Sequence, residues 1–409
     1  MIATGQRASD KDGVPTAVRT LQALNVTSHV DLRHGGICVT MPEFSRALNA
    51  TGRWRTSTVA LADDDEISTY QSTDGKLVRL PRGRLRWMRE PALKRQLAAQ
   101  IEAADIVHVQ GLWDEHSVQA YALSRRLKKP YIVSAQGMLD PWALRNKRWK
   151  KALYGTLIER RYMNGAACLR ATTPAEVEDY RRFGVRVSKC AVIPMGVDAP
   201  SSADASLFYE RFPELRDRQL VLFLSRLHYK KGLDLLCRAW AALHGQFPNA
   251  HLVLAGPESA DTHSSLLQLI SKLGIASSVT FTGMVTGDLK WSTFAAATVF
   301  VLPTYSENFA VAVSEAMALG RPVIITRQCN RPEVAESRAG WVIEPDTGQL
   351  TAAIRNALLM NPVQLDAYGA NGRRLINEHY SWTAIGRDMA AVYEWILGMG
   401  PEPACVRSV

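Results

Sequence analysis

No stretch of this chain approaches the roughly 18 to 20 consecutive apolar residues that a membrane-spanning helix requires. The best run, Phe294 to Leu302, is about half that length and is broken by Thr298. Met1 to Leu21 holds polar residues and Pro15 where a secretory leader needs an apolar centre, and the expectation there is a loose tail. Six cysteines stand at 38, 168, 190, 237, 329 and 405. They form no close pair and no metal-ligand spacing, which argues against a disulfide scaffold or zinc site and suits a reducing cytoplasm. A Gly-x-Gly-x-x-Gly turn after a strand is missing, which argues against a nicotinamide-dependent oxidoreductase. There is no repeat at a solenoid period and no low-complexity tract.

What is present is material for two globular domains. The chain has 409 residues, 47% of them apolar and 22% charged, which fits two domains of roughly 200 residues. Its net charge of +10 is unevenly placed, because residues 1–200 hold 31 Lys and Arg against 20 Asp and Glu. Clusters lie at Arg79-Arg82-Arg84-Arg86-Arg89, at Arg125-Arg126-Lys128-Lys129 and at Arg145-Lys147-Arg148-Lys150-Lys151. Such an asymmetric field suits an anionic partner, namely a phospholipid surface, a polyprenyl-diphosphate acceptor or nucleic acid. Solvated helix faces are the plain alternative. Nucleic acid is the weakest of these, because no nucleic-acid module accompanies the charge. Leu85-Arg86-Trp87-Met88-Arg89 interleaves apolar and basic residues, which predicts either peripheral contact with an anionic inner membrane or packing of Trp87 and Met88 in a core.

The second half alternates short apolar runs with helical patterns, the mark of a parallel sheet covered on both faces. Strands are expected at Gln219–Ser225, His251–Ala255, Val279–Thr282, Thr298–Leu302, Pro322–Thr326 and Gly340–Glu344, with helices such as Gly232–Leu243 and Phe309–Leu319 between them. The first half alternates more loosely, with strands at Leu24–Val30, Thr56–Leu61, Asp105–Val109, Tyr131–Ser134 and Cys168–Thr172. Helices there are expected at Cys38–Asn49, Glu115–Leu127 and Ala175–Phe183. Pro194 to Pro200 breaks both periodicities and reads as a hinge. The expected organisation is a tail over 1–20, one domain over 21–199, a second over 200–380, and a helix and tail over 381–409 that return to the first domain. In such doubly wound domains ligands gather at the carboxyl ends of the strands, here facing a central cleft.

Two local patterns carry chemistry. Glu307-Asn308-Phe309 lies in a loop ahead of a helix containing Glu315, about two helical turns farther on. Free amides at Phe309, Ala310 and Val311 would form a phosphate site at the helix start. The second pattern, Ser225 to Gly232, follows the first strand of the second domain and presents Arg226 and Lys231. Both can hold a diphosphate, Arg as a planar fork and Lys as a point charge. A solvated basic loop and a chance pair of glutamates are the bland readings of these motifs. The acidic run Asp63-Asp64-Asp65-Glu66 precedes Ser68, Thr69, Gln71 and Ser72 and reads as a solvated loop rather than a metal site.

These residues resemble the retaining glycosyltransferases of family 4. The similarity runs through Phe223-Leu224-Ser225-Arg226-Leu227, Lys231-Gly232-Leu233-Asp234, Leu254-Ala255-Gly256-Pro257 and Val279-Thr280-Phe281-Thr282-Gly283. It continues through Val301-Leu302-Pro303 to Glu315-Ala316 and through Gly320-Arg321-Pro322-Val323-Ile324. In the first half it rests on Gly35-Gly36, Asp105-Ile106-Val107-His108, Gly137 to Trp142, and Ile193 to Asp198. The stretch Gly137-Met138-Leu139-Asp140-Pro141-Trp142 is similar to a bacterial subgroup of exopolysaccharide, capsule and O-antigen enzymes. The resemblance spans about residues 24–398 in ordered segments.

The resemblance implies an α/β chain of GT-B fold, two Rossmann-like domains facing a cleft. It implies transfer of a sugar from a UDP- or GDP-linked donor to a lipid-linked saccharide acceptor, without a metal or other cofactor. Glu307 would contact donor-sugar hydroxyls and Glu315 the ribose, while Arg226 and Lys231 would hold the diphosphate with the amides after Asn308. Gly35 and Gly36 would bring backbone close to donor and acceptor, Met284 and Val285 would lie near the base, and His108 would line the sugar end of the cleft. Two departures concern sugar identity. Gln136 stands where many relatives have His, so that position can hydrogen-bond but cannot titrate near neutral pH, and Ala310 stands where relatives usually have Gly. Competing readings are an inactive GT-B scaffold of a polysaccharide assembly complex, or another GT-B enzyme such as a nucleotide-sugar epimerase or phosphorylase.

Overall fold

The computed structural model describes residues 19–31, 37–61, 70, 75–80, 91–145, 151, 153–187, 189–200, 203–257 and 260–408. Gly35, Gly36, Asp63 to Glu66 and the segment Arg82 to Arg89 lie outside the described residues.

The first sheet contains β1 (Leu21–Thr27), β2 (Trp54–Leu61), β3 (Lys76–Leu80), β4 (Ile106–Gln110), β5 (Tyr131–Ser134), β6 (Cys168–Ala171) and β7 (Lys189–Val192). These pair in the parallel order β3-β2-β1-β4-β5-β6-β7. Every residue of β4, β5 and β6 is buried. That is why their apolar runs do not alternate, since helices cover both faces. The second sheet contains β8 (Gln219–Leu224), β9 (Ala250–Ala255), β10 (Val279–Gly283), β11 (Val299–Leu302), β12 (Val323–Thr326) and β13 (Gly340–Ile343). Its order is β10-β9-β8-β11-β12-β13, again parallel.

Both sheets therefore reverse their winding next to their first strand, between β1 and β4 and between β8 and β11. A crevice opens at such a point because the two connecting helices leave to opposite faces. In the second domain the loops at that point are residues 225–232 and 303–310, the two segments that carry Arg226, Lys231 and Glu307.

Strands β3 and β7 were not expected. Lys76-Leu77-Val78-Arg79-Leu80 is mostly half-exposed at the sheet's edge, with two cations among its five residues. Lys189-Cys190-Ala191-Val192 is too short to show a period.

The C-terminal segment does return to the first domain. The helix Trp382–Ile396 packs Ile385, Met389 and Tyr393 against Met41, Phe44, Leu48 and Trp54. A side chain at Gly386 would place its Cβ 2.4 Å from the Ala47 carbonyl oxygen, so glycine sets how closely this helix and Ile37–Asn49 approach. The chain ends in β14 (Val406–Ser408), antiparallel on β7. Beside the crossing at Pro194 to Pro200, the amide of Val197 donates to the carbonyl of Tyr380 at 2.8 Å. The two strands of chain that join the domains thus brace one another.

Candidate active site

The loop after β8 is folded tightly by two glycines. Gly232 has φ +70°, and a Cβ there would lie 1.9 Å from the Pro303 carbonyl oxygen; Gly256, at φ +138°, would meet the Ser225 carbonyl oxygen at 2.0 Å. Only glycine lets the β8 and β11 loops come this close. The contact is then locked by the Lys230 carbonyl, which accepts from the Tyr305 amide at 2.8 Å and the Thr304 hydroxyl at 3.0 Å. The result places Lys231 Nζ against Glu307 Oε2 as an ion pair whose side chains are 12% and 16% exposed. Arg226 is exposed on the same loop and has no ion-pair partner among the described residues. His228 accepts from the Lys230 amide through Nδ1 at 3.2 Å. Burial, and then the charges of Arg226, Lys230 and Lys231, lower its pKa, so neutral imidazole is favoured there.

The β11 loop fixes Glu307 through its backbone. Its amide donates to the Gln328 carbonyl at 3.1 Å, and its carbonyl accepts from Asn330 Nδ2 at 3.0 Å. The helix that follows begins at Val311, not at Phe309. Ala310 is its cap, in the left-handed region at φ 49° and ψ 63°. The amides of the helix start are therefore those from Val311 onward, and the expectation of free helical donors at Phe309 and Ala310 is corrected. Glu307 stands in the loop ahead of the helix and Glu315 within it, as expected. Glu315, 9% exposed, pairs with Lys290 at 2.8 Å, a residue of the helix Gly287–Ala296 that no sequence motif marked. The side chain of Phe309 is buried, with Arg331 stacked 5.0 Å from its ring, so only its backbone can serve a donor.

The left-handed Ala310 explains why glycine is the usual residue there. Replacing Ala310 by Gly relieves roughly 1 kcal/mol or more of backbone strain and gives up about 0.8 kcal/mol of methyl burial. Thermal unfolding of Ala310→Gly should stay close to wild type, so that any change in donor KM can be read as a change in space.

Several contacts join the domains across the cleft. Ser306 Oγ donates to Asp140 Oδ2 at 2.7 Å, and Asn308 Nδ2 donates to Thr172 Oγ1 at 2.9 Å. Lys230 Nζ stands 4.5 Å from the centre of the Trp142 ring. Between them Gly137, at φ +74°, has no room for a side chain, because a Cβ would lie 2.6 Å from Asn308 Cβ. Buried Glu176 organises the opposing wall, accepting from the Gly137 amide at 2.7 Å and from the Thr172 amide at 2.7 Å. Gly137→Ala should therefore push the domains apart and lower turnover by about 10- to 100-fold. Nucleotide affinity, expected from the loops of the second domain, should stay near wild type; equal loss of both would reject this reading of the contact.

Gln136 lies in this wall and donates through Nε2 to Gln110 Oε1 at 2.9 Å. His108 does not line the cleft. It is fully buried, with Nδ1 2.7 Å from the Tyr393 hydroxyl and Nε2 2.7 Å from the Ser134 hydroxyl. Burial and then Arg170 hold its pKa well below the ordinary value, so it is a neutral imidazole tying β4 and β5 to the C-terminal helix. Met284 is 51% exposed after Gly283, whereas the Val285 side chain is buried and offers a ligand its backbone alone.

Comparison with known proteins adds to this geometry. Residues 209–375 match the family described as glycosyl transferases group 1, and residues 35–196 match the glycosyl transferase 4-like domain. The chain is 31% identical over 211 residues to the GDP-mannose-dependent alpha-(1-6)-phosphatidylinositol monomannoside mannosyltransferase of Mycolicibacterium smegmatis, covering 48% of this chain and 54% of that protein. It is 31% identical over 194 residues to the D-inositol 3-phosphate glycosyltransferase of Paenarthrobacter aurescens, covering 46% and 47%. The chain spans about half the length of the curated relatives it matches. Among solved structures, sucrose-phosphate synthase from Thermosynechococcus elongatus superposes with a TM-score of 0.75 at 21% identity, covering 92% of this chain and 99% of that one. Anabaena HepE in complex with UDP and glucose gives 0.74 at 18%, covering 92% and 100%. These likenesses confirm the two-domain fold. With a 4-like match ahead of a group 1 match, the chain is similar in both halves to glycosyltransferase domains.

Proposed function

We propose that this protein transfers a sugar from a nucleoside diphosphate sugar to a saccharide acceptor carried on a lipid, with retention at the anomeric carbon. The observation that carries the reading is the Lys231 ammonium, clamped by Glu307 where the β8 and β11 loops meet, with Arg226 exposed beside it. As the glycosidic bond to the donor phosphate breaks, negative charge grows on the leaving diphosphate. Cations already fixed at that place lower the barrier without reorganising. Arg226 and Lys231 take that role, with amides of the helix beginning at Val311. Glu307 orients the sugar hydroxyls, and Glu315, held by Lys290, takes the ribose. The donor's own phosphate oxygen accepts the proton of the attacking hydroxyl, so neither a protein nucleophile nor a metal is required.

The UDP found with HepE and the GDP-mannose named for the mycobacterial relative support a nucleotide-sugar donor. The phosphatidylinositol monomannoside in that relative's name, with the basic excess of the first domain, supports a lipid-borne acceptor and work at the cytoplasmic face of an anionic membrane. Assembly of a bacterial surface polysaccharide is the setting the Gly137 to Trp142 motif favours. Among the described residues no helix is long and apolar enough to cross a membrane.

The test is a thermal-shift titration with uridine-, guanosine- and adenosine-linked sugars, alongside slow hydrolysis of the donor. Stabilisation by one donor, lost in Glu315→Ala, supports the transferase and names its base. Stabilisation by no donor and no free nucleoside diphosphate would instead favour an inactive scaffold.

A further inference from the structure

Among the described residues of the first domain, two large apolar side chains are exposed, Leu153 at 60% and Leu157 at 64%. They stand four residues apart on one helical segment. Its middle turn, Gly155–Glu159, is wound as a π-helix before α-helix resumes at Arg160–Asn164. The inward face of this segment is pinned. A Cβ at Gly155 would lie 2.8 Å from Phe183, Glu159 is fully buried, and Tyr162 stacks on Tyr131 with ring centres 6.0 Å apart. The opposite face, with Leu153, Leu157 and Arg161, therefore has to point outward.

That outward face is apolar and positive together. Leu157, Ile158 and Arg161 form one groove with Tyr121 and Arg125 of the helix Glu115–Arg126. Arg125 is held there by a 3.0 Å bond from Nη1 to the Tyr121 hydroxyl, and Arg126 and Lys128 are exposed just beyond it. The segment's single acid, Glu159, points inward, so its outward face has no negative charge of its own. Only a short stretch of chain separates Leu153 from Trp142, the residue that meets Lys230 at the cleft.

We propose that this face, centred on Leu153 and Leu157 and rimmed by Arg125 and Arg161, docks the protein on an anionic phospholipid surface. The leucines enter the boundary between headgroups and acyl chains while the arginines meet lipid phosphates. A second copy of this chain is a poorer occupant, because a two-fold contact would set the same arginines against each other. The inference deepens the membrane part of the proposed function and assigns it to a different segment of the chain from Leu85 to Arg89.

The experiment is co-sedimentation of the whole protein with vesicles of phosphatidylcholine alone or mixed with phosphatidylglycerol. Wild type should bind the mixed vesicles, be released by salt, and bind the neutral ones weakly. Leu153→Glu with Leu157→Glu, and separately Arg125→Glu with Arg161→Glu, should lower partitioning about tenfold or more. Both pairs should keep the wild-type melting temperature and nucleotide stabilisation, which separates a failed surface from a failed transferase reading. Arg84→Glu with Arg86→Glu and Arg89→Glu should leave binding unchanged. Three results would overturn the proposal: equal binding to both vesicle types, binding abolished by that arginine triple but untouched by the leucine pair, or leucine substitutions that split a dimer without altering vesicle binding.

Discussion

Lys231→Ala should lower turnover by about two to three orders of magnitude, the effect of losing one fixed donor at a developing negative charge. Donor affinity should fall less, because Arg226 still reaches the diphosphate in the ground state. The lysine is held by an ion pair with Glu307 at small exposure, so it pays little ordering entropy when the donor arrives. Removing it also strands a partly buried carboxylate, and Glu307 is then free to turn away from the sugar. Lys231→Arg tests geometry apart from charge, since a planar guanidinium replaces the point charge that the ammonium sets against Glu307. The measurement is kcat and donor Kd for both variants. If Lys231→Ala turns over within about threefold of wild type, well short of a lost transition-state donor, the cationic loop is not the leaving-group site.

A second large effect is expected far from the chemistry, at Glu159. This carboxyl is fully buried on the π-turn. Its Oε1 accepts from the Trp113 amide at 2.8 Å, while Oε2 has no hydrogen-bond partner. Burial pushes its pKa up to about 7, against the help of the Trp113 amide and with added repulsion from Asp114. A folded pKa above the unfolded value means that the folded state holds the proton more tightly. Stability is then highest below the unfolded pKa, falls as pH rises toward 7, and stays low above it. Glu159→Gln cannot ionise and keeps the acceptor for Trp113. It should match wild type or fall slightly below it at pH 4, and exceed it at pH 8 by about 3 kcal/mol. Urea unfolding at the two pH values reads this directly, and an equal difference at both would show that folding does not raise the Glu159 pKa.

Much of the second domain was legible along the chain. Its six strands are short apolar runs separated by helical periods, and a strand buried on both faces has to be such a run whatever surrounds it. Arg226, Lys231, Glu307 and Glu315 could be singled out because charged residues beside a strand end or helix start have few structural reasons to be there. The helix start was misplaced by two residues because Ala310 adopts a left-handed conformation that its own chemistry does not announce. The edge strands β3 and β7 were missed because sheet partners, rather than an internal pattern, make them strands.

What the sequence by itself determined is therefore the fold class; it also nominated the hinge near Pro194 to Pro200 and the charged residues proposed for a donor. Tertiary structure alone decided their partners. Glu315 belongs with Lys290, Glu307 with Lys231, Ser306 with Asp140 and Asn308 with Thr172. It also withdrew His108 from the cleft, because a histidine in the middle of a strand points wherever the sheet and the C-terminal helix turn it. The physical reason is range. Periodicity and turn chemistry act over a few residues and are written locally, whereas ion pairs between elements 25 or 76 residues apart exist only after two parallel sheets have wound and met.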